Sequence, residues 1–281
     1  MVEAQNSARD TWTSILIFLA ILTGISAIGH YAVVVLAPVS IYVGALMLCP
    51  AIAAFATLKI RGRKVRSLPW NFGNWRDNIH SYLIPVIYVT ISYVLAWTLG
   101  FGGAFDSETI AEWSGELGLS NTPVLGAGIM VALFATVQFI KSLGSIAGEE
   151  IGWRGFFIWE LRKVLPFGGV ALFSGIIWSA WHYPIVIKYG FGDPVFQIAC
   201  FTLMITSMSV IMAYYTFRSN SMWPAIMFHG AHNIYVQKIF TPLTTRNDQT
   251  RFWIDEYGLI VPVVVTIIAI YYWRRAKAEG M

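Results

Sequence analysis

The sequence predicts an all-α, polytopic membrane protein with about eight transmembrane helices. Three observations carry this prediction. Of the 281 residues, 57% are hydrophobic and only 12% are charged, which is about half the charged fraction of a typical soluble domain. The chain also contains eight apolar stretches that are long enough for a helix to cross a bilayer. Finally, basic and acidic residues cluster in different loops, as membrane topology requires.

The eight predicted helices follow one another along the chain as a single transmembrane domain, residues 1–281. They cover residues 12–29, 31–58, 79–101, 124–147, 168–187, 194–217, 222–240 and 257–273. The first stretch has an alternative interpretation as a cleaved signal peptide, because the small residues Ser26 and Ala27 follow its apolar core. Its long apolar region is flanked by Arg9 and Asp10 instead of a basic cluster, which favours an uncleaved helix.

The charges of the loops predict the orientation of the helices. The loop KIRGRKVR at 59–66 carries five basic residues, whereas the loop after the third helix carries Asp106, Glu108, Glu112 and Glu116. Loops rich in Lys and Arg stay in the cytoplasm. Eight spans then place both termini in the cytoplasm of a multi-pass cell-membrane protein, together with Arg162, Lys163, Arg218, Arg274, Arg275 and Lys277. The net charge of +4 therefore needs no nucleic-acid partner.

Two adjacent carboxylates and an arginine interrupt the apolar sequence at 148–157, GEEIGWRGFF. Charged groups at bilayer depth are costly, so they point to function. In a long helical stretch, Glu150 and Arg154 lie four residues apart with the acid first, which favours an ion pair. Glu149 lies about 100° away around the helix, so it stays available as a general base. A structural ion pair is the simpler interpretation of Glu150 and Arg154 taken alone.

A second polar group lies at a matching depth on the next predicted helix. His182 comes near the end of that helix, after Trp178-Ser179-Ala180-Trp181. Counted from the turn at 164–167, His182 and Glu149 are each about 21 Å away at 1.5 Å per residue. A histidine at a helix end is more often a packing residue than a catalyst. Antiparallel neighbouring helices would nevertheless allow these two groups to meet.

A third polar group lies in the seventh predicted helix. His229 and Asn233 are four residues apart and share a helical face, with His232 close by. The small residues Gly230 and Ala231 would let another helix or a bound peptide approach. The three polar groups together predict one site between three helices.

Other chemistries of intramembrane proteolysis fit these residues less well. The sequence has no HExxH string, although His182, His229 and His232 with a glutamate could hold a metal ion. We expect neither a metal nor another cofactor. The string GFGD at 190–193 resembles the presenilin type of aspartyl protease, but the second aspartate of that type is absent, and Asp193 is expected in a turn. Cys49 and Cys200 both lie in apolar segments and show neither metal nor disulfide spacing.

The chemistry that remains is hydrolysis by an activated water molecule. Glu149 with His182 would deprotonate the water for attack on a peptide carbonyl. His229 and Asn233 would donate hydrogen bonds to the developing oxyanion. Four neighbours are expected in supporting roles, namely Glu150, Arg154, Trp178 and His232.

Three motifs occur in a fixed order along the chain. Glu149 to Arg154 matches EExxxR, Trp178 to His182 resembles FxxxH with Trp in place of Phe, and His229 to Asn233 matches HxxxN. The sequence therefore resembles the CPBP family, the CAAX proteases and bacteriocin-processing enzymes, which are also called Abi proteins. The type II CAAX prenyl proteases are the best-described members of this family.

The resemblance implies an eight-helix intramembrane endopeptidase of the glutamic type. It implies that Glu149, His182, His229 and Asn233 are the catalytic groups, and it covers about residues 120–240 as the catalytic core. The expected substrate is a peptide or protein in the lipid bilayer, either with a prenylated C-terminus or unmodified. The alternative from another class is a non-proteolytic membrane protein that binds a partner, such as a bacteriocin-immunity protein. A transporter is a third interpretation, since buried acids and histidines also serve proton relays.

Overall fold

The computed structural model describes residues 2–190 and 192–281, with side chains from residue 8 onward. Helices dominate this part of the chain, so the predicted all-α membrane fold is confirmed. The helices are α1 (Val2–Tyr31, continued by a π-helical segment, Ala32–Leu36), α2 (Ser40–Ile60), α3 (Trp75–Thr98), α4 (Ser107–Glu116), α5 (Pro123–Arg162), α6 (Phe167–Tyr189), α7 (Pro194–Ser219), α8 (Trp223–Asn233, continued by a π-helical segment, Ile234–Phe240), α9 (Thr250–Trp253) and α10 (Ile260–Ala278). Two short strands, β1 (Gly103–Ala104) and β2 (Thr244–Thr245), pair antiparallel.

Six helices in the described part of the chain are long and apolar enough to cross a membrane, namely α1, α2, α3, α5, α6 and α7. The protein is therefore an integral membrane protein. The other two predicted spans also form helices, α8 and α10. Helix α8 carries two histidines and an asparagine, and α10 ends in basic residues, so the composition of these two helices does not identify them as spans. The predicted number of eight spans is thus not confirmed.

Two predicted helix boundaries differ from the structure. The first two helices separate at residues 37–39 and not at residue 30, where Ala37 is extended and Pro38 removes a backbone N–H donor. The fourth helix was expected to end at 147, but α5 continues to Arg162. Gly148 permits close packing instead of breaking the helix, since a Cβ there would lie 2.8 Å from the Met47 carbonyl oxygen.

Helix α5 packs closely against α2 at Gly152. A Cβ added there would lie 2.6 Å from both the carbonyl carbon and the carbonyl oxygen of Pro50, and backbone atoms cannot move aside cheaply. We expect Gly152→Ala to lower the free energy of unfolding by about 1–3 kcal/mol, the usual cost of overpacking. Thermal unfolding of the purified protein in detergent measures this loss.

Gly144 provides the matched control on the same helix, because no atom lies within 4 Å of a Cβ added there. Gly144→Ala should be neutral or stabilising by up to about 1 kcal/mol, since alanine is the better helix former. Equal melting temperatures for the two variants would contradict the packing argument.

The helix bundle has two chemically different ends. One end, here called the basic end, contains the loop 59–66, the turn at 162–163 and the C-terminal part of α10. Arg63 and Lys163 both contact the buried carboxylate of Glu160, each at 2.7 Å, which ties the first two of these segments together. The opposite end, here called the far end, contains the strand pair and the loops 99–122 and 241–259. The sequence predicted that the basic segments share one side, and these contacts agree with it.

Candidate active site

A cavity of about 200 Å³ lies between α2, α5, α6, α7 and α8 and the loop that precedes α10. It brings together the four predicted catalytic residues, since its lining includes Glu149, His182, His229 and Asn233. Trp178 and His232 also line it. Glu150 and Arg154 do not line the cavity, but they lie buried directly behind it. Three separate helices therefore supply one polar site, as their matched depths in the sequence predicted.

Glu149 is held by an indole from the facing helix. The carboxylate is 2% exposed, and its Oε2 accepts a hydrogen bond of 3.1 Å from Nε1 of Trp178. Phenylalanine, which the family motif has at this position, could supply an aromatic wall but no donor. The tryptophan therefore fixes the carboxylate and leaves its remaining acceptor positions for other partners.

Glu150 and Arg154 form the ion pair that the sequence predicted. Nη1 of Arg154 donates to both carboxylate oxygens of Glu150, at 3.0 and 3.1 Å, and its Nη2 donates to Ser209 at 3.0 Å. The guanidinium also lies 4.0 Å from the ring centroid of Trp178, in cation–π geometry. Both partners are almost wholly excluded from solvent, at 0% and 1% exposed. This buried pair fixes α5 against α6 and α7.

His229 is oriented by the same carboxylate. Its Nδ1 donates to Oε1 of Glu150 at 2.8 Å, because a carboxylate can only accept. The negative partner stabilises the ring when both of its nitrogens carry protons, and only that form has an Nε2–H to donate into the cavity. Glu150 therefore does more than pair with Arg154, because it also sets the orientation of a cavity-lining imidazole.

His182 has a defined tautomer. Its Nδ1 lies 2.9 Å from the backbone carbonyl oxygen of Trp178, so Nδ1 must be the protonated nitrogen that donates. The neutral ring then carries a lone pair on Nε2. Trp181 and Phe201 pack on the ring, with centroids at 4.7 and 5.4 Å, so its orientation is restricted. Such a ring can accept a proton from the cavity.

His232 faces a carboxylate that sequence reasoning missed. Its Nδ1 lies 2.5 Å from the Tyr88 hydroxyl, and its Nε2 lies 3.2 Å from Oε1 of Glu256. Nε2 of Gln237 donates to the same carboxylate oxygen at 2.8 Å. Glu256 lines the cavity, so the site contains a second acid besides Glu149.

The loop before α10 delivers this second acid. Asp255 adopts a left-handed backbone conformation, φ 71°, which is uncommon for a residue with a side chain. Burial, with Glu256 beside it, raises the pKa of Asp255 to about 6. Burial opposes ionisation of Glu256 too, but the nearby His232 and Gln237 outweigh it and keep the pKa of Glu256 below its ordinary value. Two adjacent acids between Ile254 and Tyr257, just before an apolar helix, are the sequence signal that could have indicated this position.

Two π-helical segments adjoin the site. One, Ile151–Phe157, begins directly after Glu150, and the other, Ile234–Phe240, begins directly after Asn233. Such segments are rare and occur often at functional sites. They also change the register of the helix face, so the 3.6-residue period used for the sequence does not apply beyond these two points.

Neither Asp193 of the GFGD string nor the two cysteines line the cavity. Asp193 accepts a hydrogen bond from the Phe196 backbone N–H at 2.9 Å and caps α7, as expected for a turn residue, while Phe191 of the same GFGD string lies outside the described residues. Cys49 and Cys200 are both free and buried. In the part of the chain that the structure describes, no three His, Cys, Asp or Glu side chains form a group that could hold a metal ion.

Comparison with known proteins agrees with the sequence motifs. The sequence model of the family Type II CAAX prenyl endopeptidase Rce1-like matches residues 123–235, a range that contains the four predicted catalytic residues. CAAX prenyl protease 2 of Methanococcus maripaludis is 25% identical over 242 residues, which cover 79% of this chain and 80% of that protein. The fold and these matches define a membrane-embedded peptide hydrolase. The chain is thus similar to the Rce1-like type II CAAX prenyl endopeptidases over residues 123–235, and to a CAAX prenyl protease over most of its length.

Proposed function

We propose that this endopeptidase hydrolyses its substrate with a water molecule that Glu149 and His182 activate. The observation that carries the proposal is the shared cavity, in which a fixed carboxylate and an imidazole held through its Nδ1 lie on facing helices. Glu149 and His182 together accept the proton that leaves the water as the water oxygen bonds to the carbonyl carbon. The proton then passes to the leaving nitrogen as the C–N bond breaks, which yields one new carboxyl group and one new amine.

His229 and Asn233 are proposed to stabilise the negative oxygen of the tetrahedral intermediate. Both side chains line the cavity, and Glu150 supports the doubly protonated form of His229. A donor that is already oriented is worth about 3–4 kcal/mol in a site of this kind. Arg154, Trp178 and His232 hold the arrangement in place, and residues 120–240 thereby carry the reaction.

The substrate is proposed to be a peptide or protein at the membrane. The relative from Methanococcus maripaludis is named CAAX prenyl protease 2, and a prenylated C-terminus is one candidate for this chain, with an unmodified peptide as the other. The concentration of Lys and Arg at the basic end supports an orientation in which both termini lie in the cytoplasm.

Cleavage of a fluorogenic peptide by the purified protein in detergent tests the proposal. We expect His182→Ala to reduce kcat/KM by at least about 10²-fold, because the site loses a proton acceptor. Zinc chelators should leave the rate of the unmodified protein unchanged, since Glu149 and His182 activate the water in the proposed mechanism. Strong inhibition by a chelator would contradict it.

The same variant separates the protease from the non-proteolytic alternative. If cells that express His182→Ala retain the biological effect of the wild-type protein, the chain acts by binding a partner. If the effect and the cleavage are lost together while the folded protein is still present in the membrane, the protease interpretation holds.

A further inference from the structure

A second concave surface lies on the outside of the helix bundle, between α6, α7 and α10. It is a groove of about 390 Å³, and its lining includes Leu172 on α6, Leu203 and Val210 on α7, and Ala269 and Ile270 on α10. The groove and the candidate active-site cavity share no lining residue, and they use different residues of α7. The groove is therefore a separate feature that the proposed reaction does not use.

The groove has an apolar floor and an apolar rim. Val210 and Ala269 in its floor are 4% and 5% exposed, whereas Ile270 at its rim is 48% exposed. Two polar side chains of the lining satisfy each other, since the hydroxyl oxygens of Ser207 and Thr266 lie 2.8 Å apart. Contact with these walls therefore favours an apolar occupant.

The groove extends through about one half of a bilayer. Leu203 lies sixteen residues before the end of α7, and Arg274 lies four residues before the end of α10, both counted toward the basic end. At 1.5 Å per residue, these positions are about 24 Å and about 6 Å from that end. The difference of about 18 Å is close to the hydrocarbon thickness of one leaflet, which is half of about 30 Å. Since α6 and α7 are both apolar helices of membrane-spanning length, the groove faces lipid.

Unpaired positive charge lies where the groove meets the basic end. Arg274 lines the groove and is exposed, and Lys277, three residues further along α10, is exposed as well. Among the described residues, neither has a carboxylate partner, whereas the neighbouring Arg275 binds Glu279 at 2.8 Å. Basic pockets between transmembrane helices bind the headgroups of anionic lipids. An anionic group at Arg274 would balance a charge that the protein itself leaves unpaired.

The indole of Trp273 stands at the same level as this charge. It lines the groove, and its ring packs on Phe167 with the centroids 6.2 Å apart. A Cβ added to Gly168 would lie 2.6 Å from the ring, so the indole is held tightly against the start of α6. Tryptophan is enriched at the level of the lipid headgroups. The groove therefore begins at the membrane surface and runs inward from there.

We propose that this groove binds one anionic phospholipid of the leaflet at the basic end. An acyl chain lies between α6, α7 and α10, and the phosphate contacts Arg274. The apolar walls and the length of the groove suit the chain, and the unpaired charge favours an anionic headgroup over a zwitterionic one. The bound lipid then fastens α10 to the two neighbouring helices.

Native mass spectrometry of the purified protein in detergent tests the recognition of the headgroup. The protein is titrated with anionic phosphatidylglycerol and with zwitterionic phosphatidylcholine of the same acyl chains. We expect the unmodified protein to bind phosphatidylglycerol at least about fivefold more tightly, the contribution of one basic residue near the membrane surface. Arg274→Gln should lose this preference. Arg66→Gln should keep it, because Arg66 is an exposed arginine of the basic end that does not line the groove.

Photo-crosslinking tests the position of the lipid. Phosphatidylglycerol with a diazirine in its acyl chain is added to the purified protein, and the adducts are mapped by mass spectrometry of its peptides. They should concentrate in residues 203–210 and 266–274, and their yield should fall at least about fivefold in Arg274→Gln.

Three results would overturn the proposal. They are equal binding of the two lipids, adducts spread evenly over all lipid-facing helices, and a groove that is covered by a second protein chain and gives no lipid adduct. Neither measurement uses peptide cleavage, so a failure of this proposal is distinct from a failure of the proposed function.

Discussion

Replacing Glu149 by glutamine is expected to slow peptide cleavage by about 10³-fold, within the range of about 10²–10⁴ that a positioned general base contributes. The glutamine amide keeps the shape of the carboxylate, and its oxygen can still accept from Nε1 of Trp178. It cannot take a proton from water. The loss should therefore appear in kcat, measured with a fluorogenic peptide and purified protein in detergent, without a change in the melting temperature that would indicate misfolding.

Glu116→Gln is the matched control, because Glu116 is an exposed glutamate on α4, away from the cavity. This variant should cleave at the rate of the wild-type protein. If Glu149→Gln also cleaved at that rate, the carboxylate would not be the base, and the proposed mechanism would be wrong.

Replacing Arg154 by methionine is expected to lower the free energy of unfolding by about 3–5 kcal/mol, the typical result of removing one partner from a buried ion pair. The substitution leaves the Glu150 carboxylate, which is 0% exposed, with only the bond from His229. It also removes the contacts of the guanidinium with Ser209 and Trp178. The melting temperature in detergent and the yield of monodisperse protein measure the effect.

Two comparisons show whether the unpaired charge causes that loss. The double variant Glu150→Gln with Arg154→Met has no buried charge at this position, yet it keeps an acceptor for His229, and it should recover at least half of the lost stability. Arg63→Met should change stability by at most about 1 kcal/mol, because Arg63 is partly exposed and Glu160 keeps Lys163 as a partner. If the single and double variants at the buried pair were equally unstable, lost packing would be the cause instead.

Much of the fold follows from the sequence, because apolar stretches of bilayer length have few alternatives to helices. The predicted ranges 79–101 and 168–187 correspond to α3 and α6 with shifts of a few residues. The sequence could not show that α5 continues past the glycines at 144–148. Whether a glycine ends a helix or admits a neighbour depends on what packs against it, and here the neighbour is α2.

The main contacts of the candidate site were predictable from sequence spacing. The four-residue spacing of Glu150 and Arg154 predicted their pairing, and similar distances from one turn predicted that Glu149 and His182 lie at one depth. Glu150 and Arg154 do pair, although Arg154 lies in the π-helical segment Ile151–Phe157. Contacts between distant segments were not predictable. Glu256 reaches the cavity only through the conformation of the loop before α10.

The indole of Trp178 has a consequence for motion in the site. Its edge donates to Glu149 and its face lies against the guanidinium of Arg154, so one rigid ring joins the proposed general base to the buried Glu150–Arg154 ion pair. The carboxylate is then not an independently mobile side chain. When a substrate pushes the walls of the cavity apart, these groups should shift as a single body, which would preserve their relative alignment while the surrounding helices adjust.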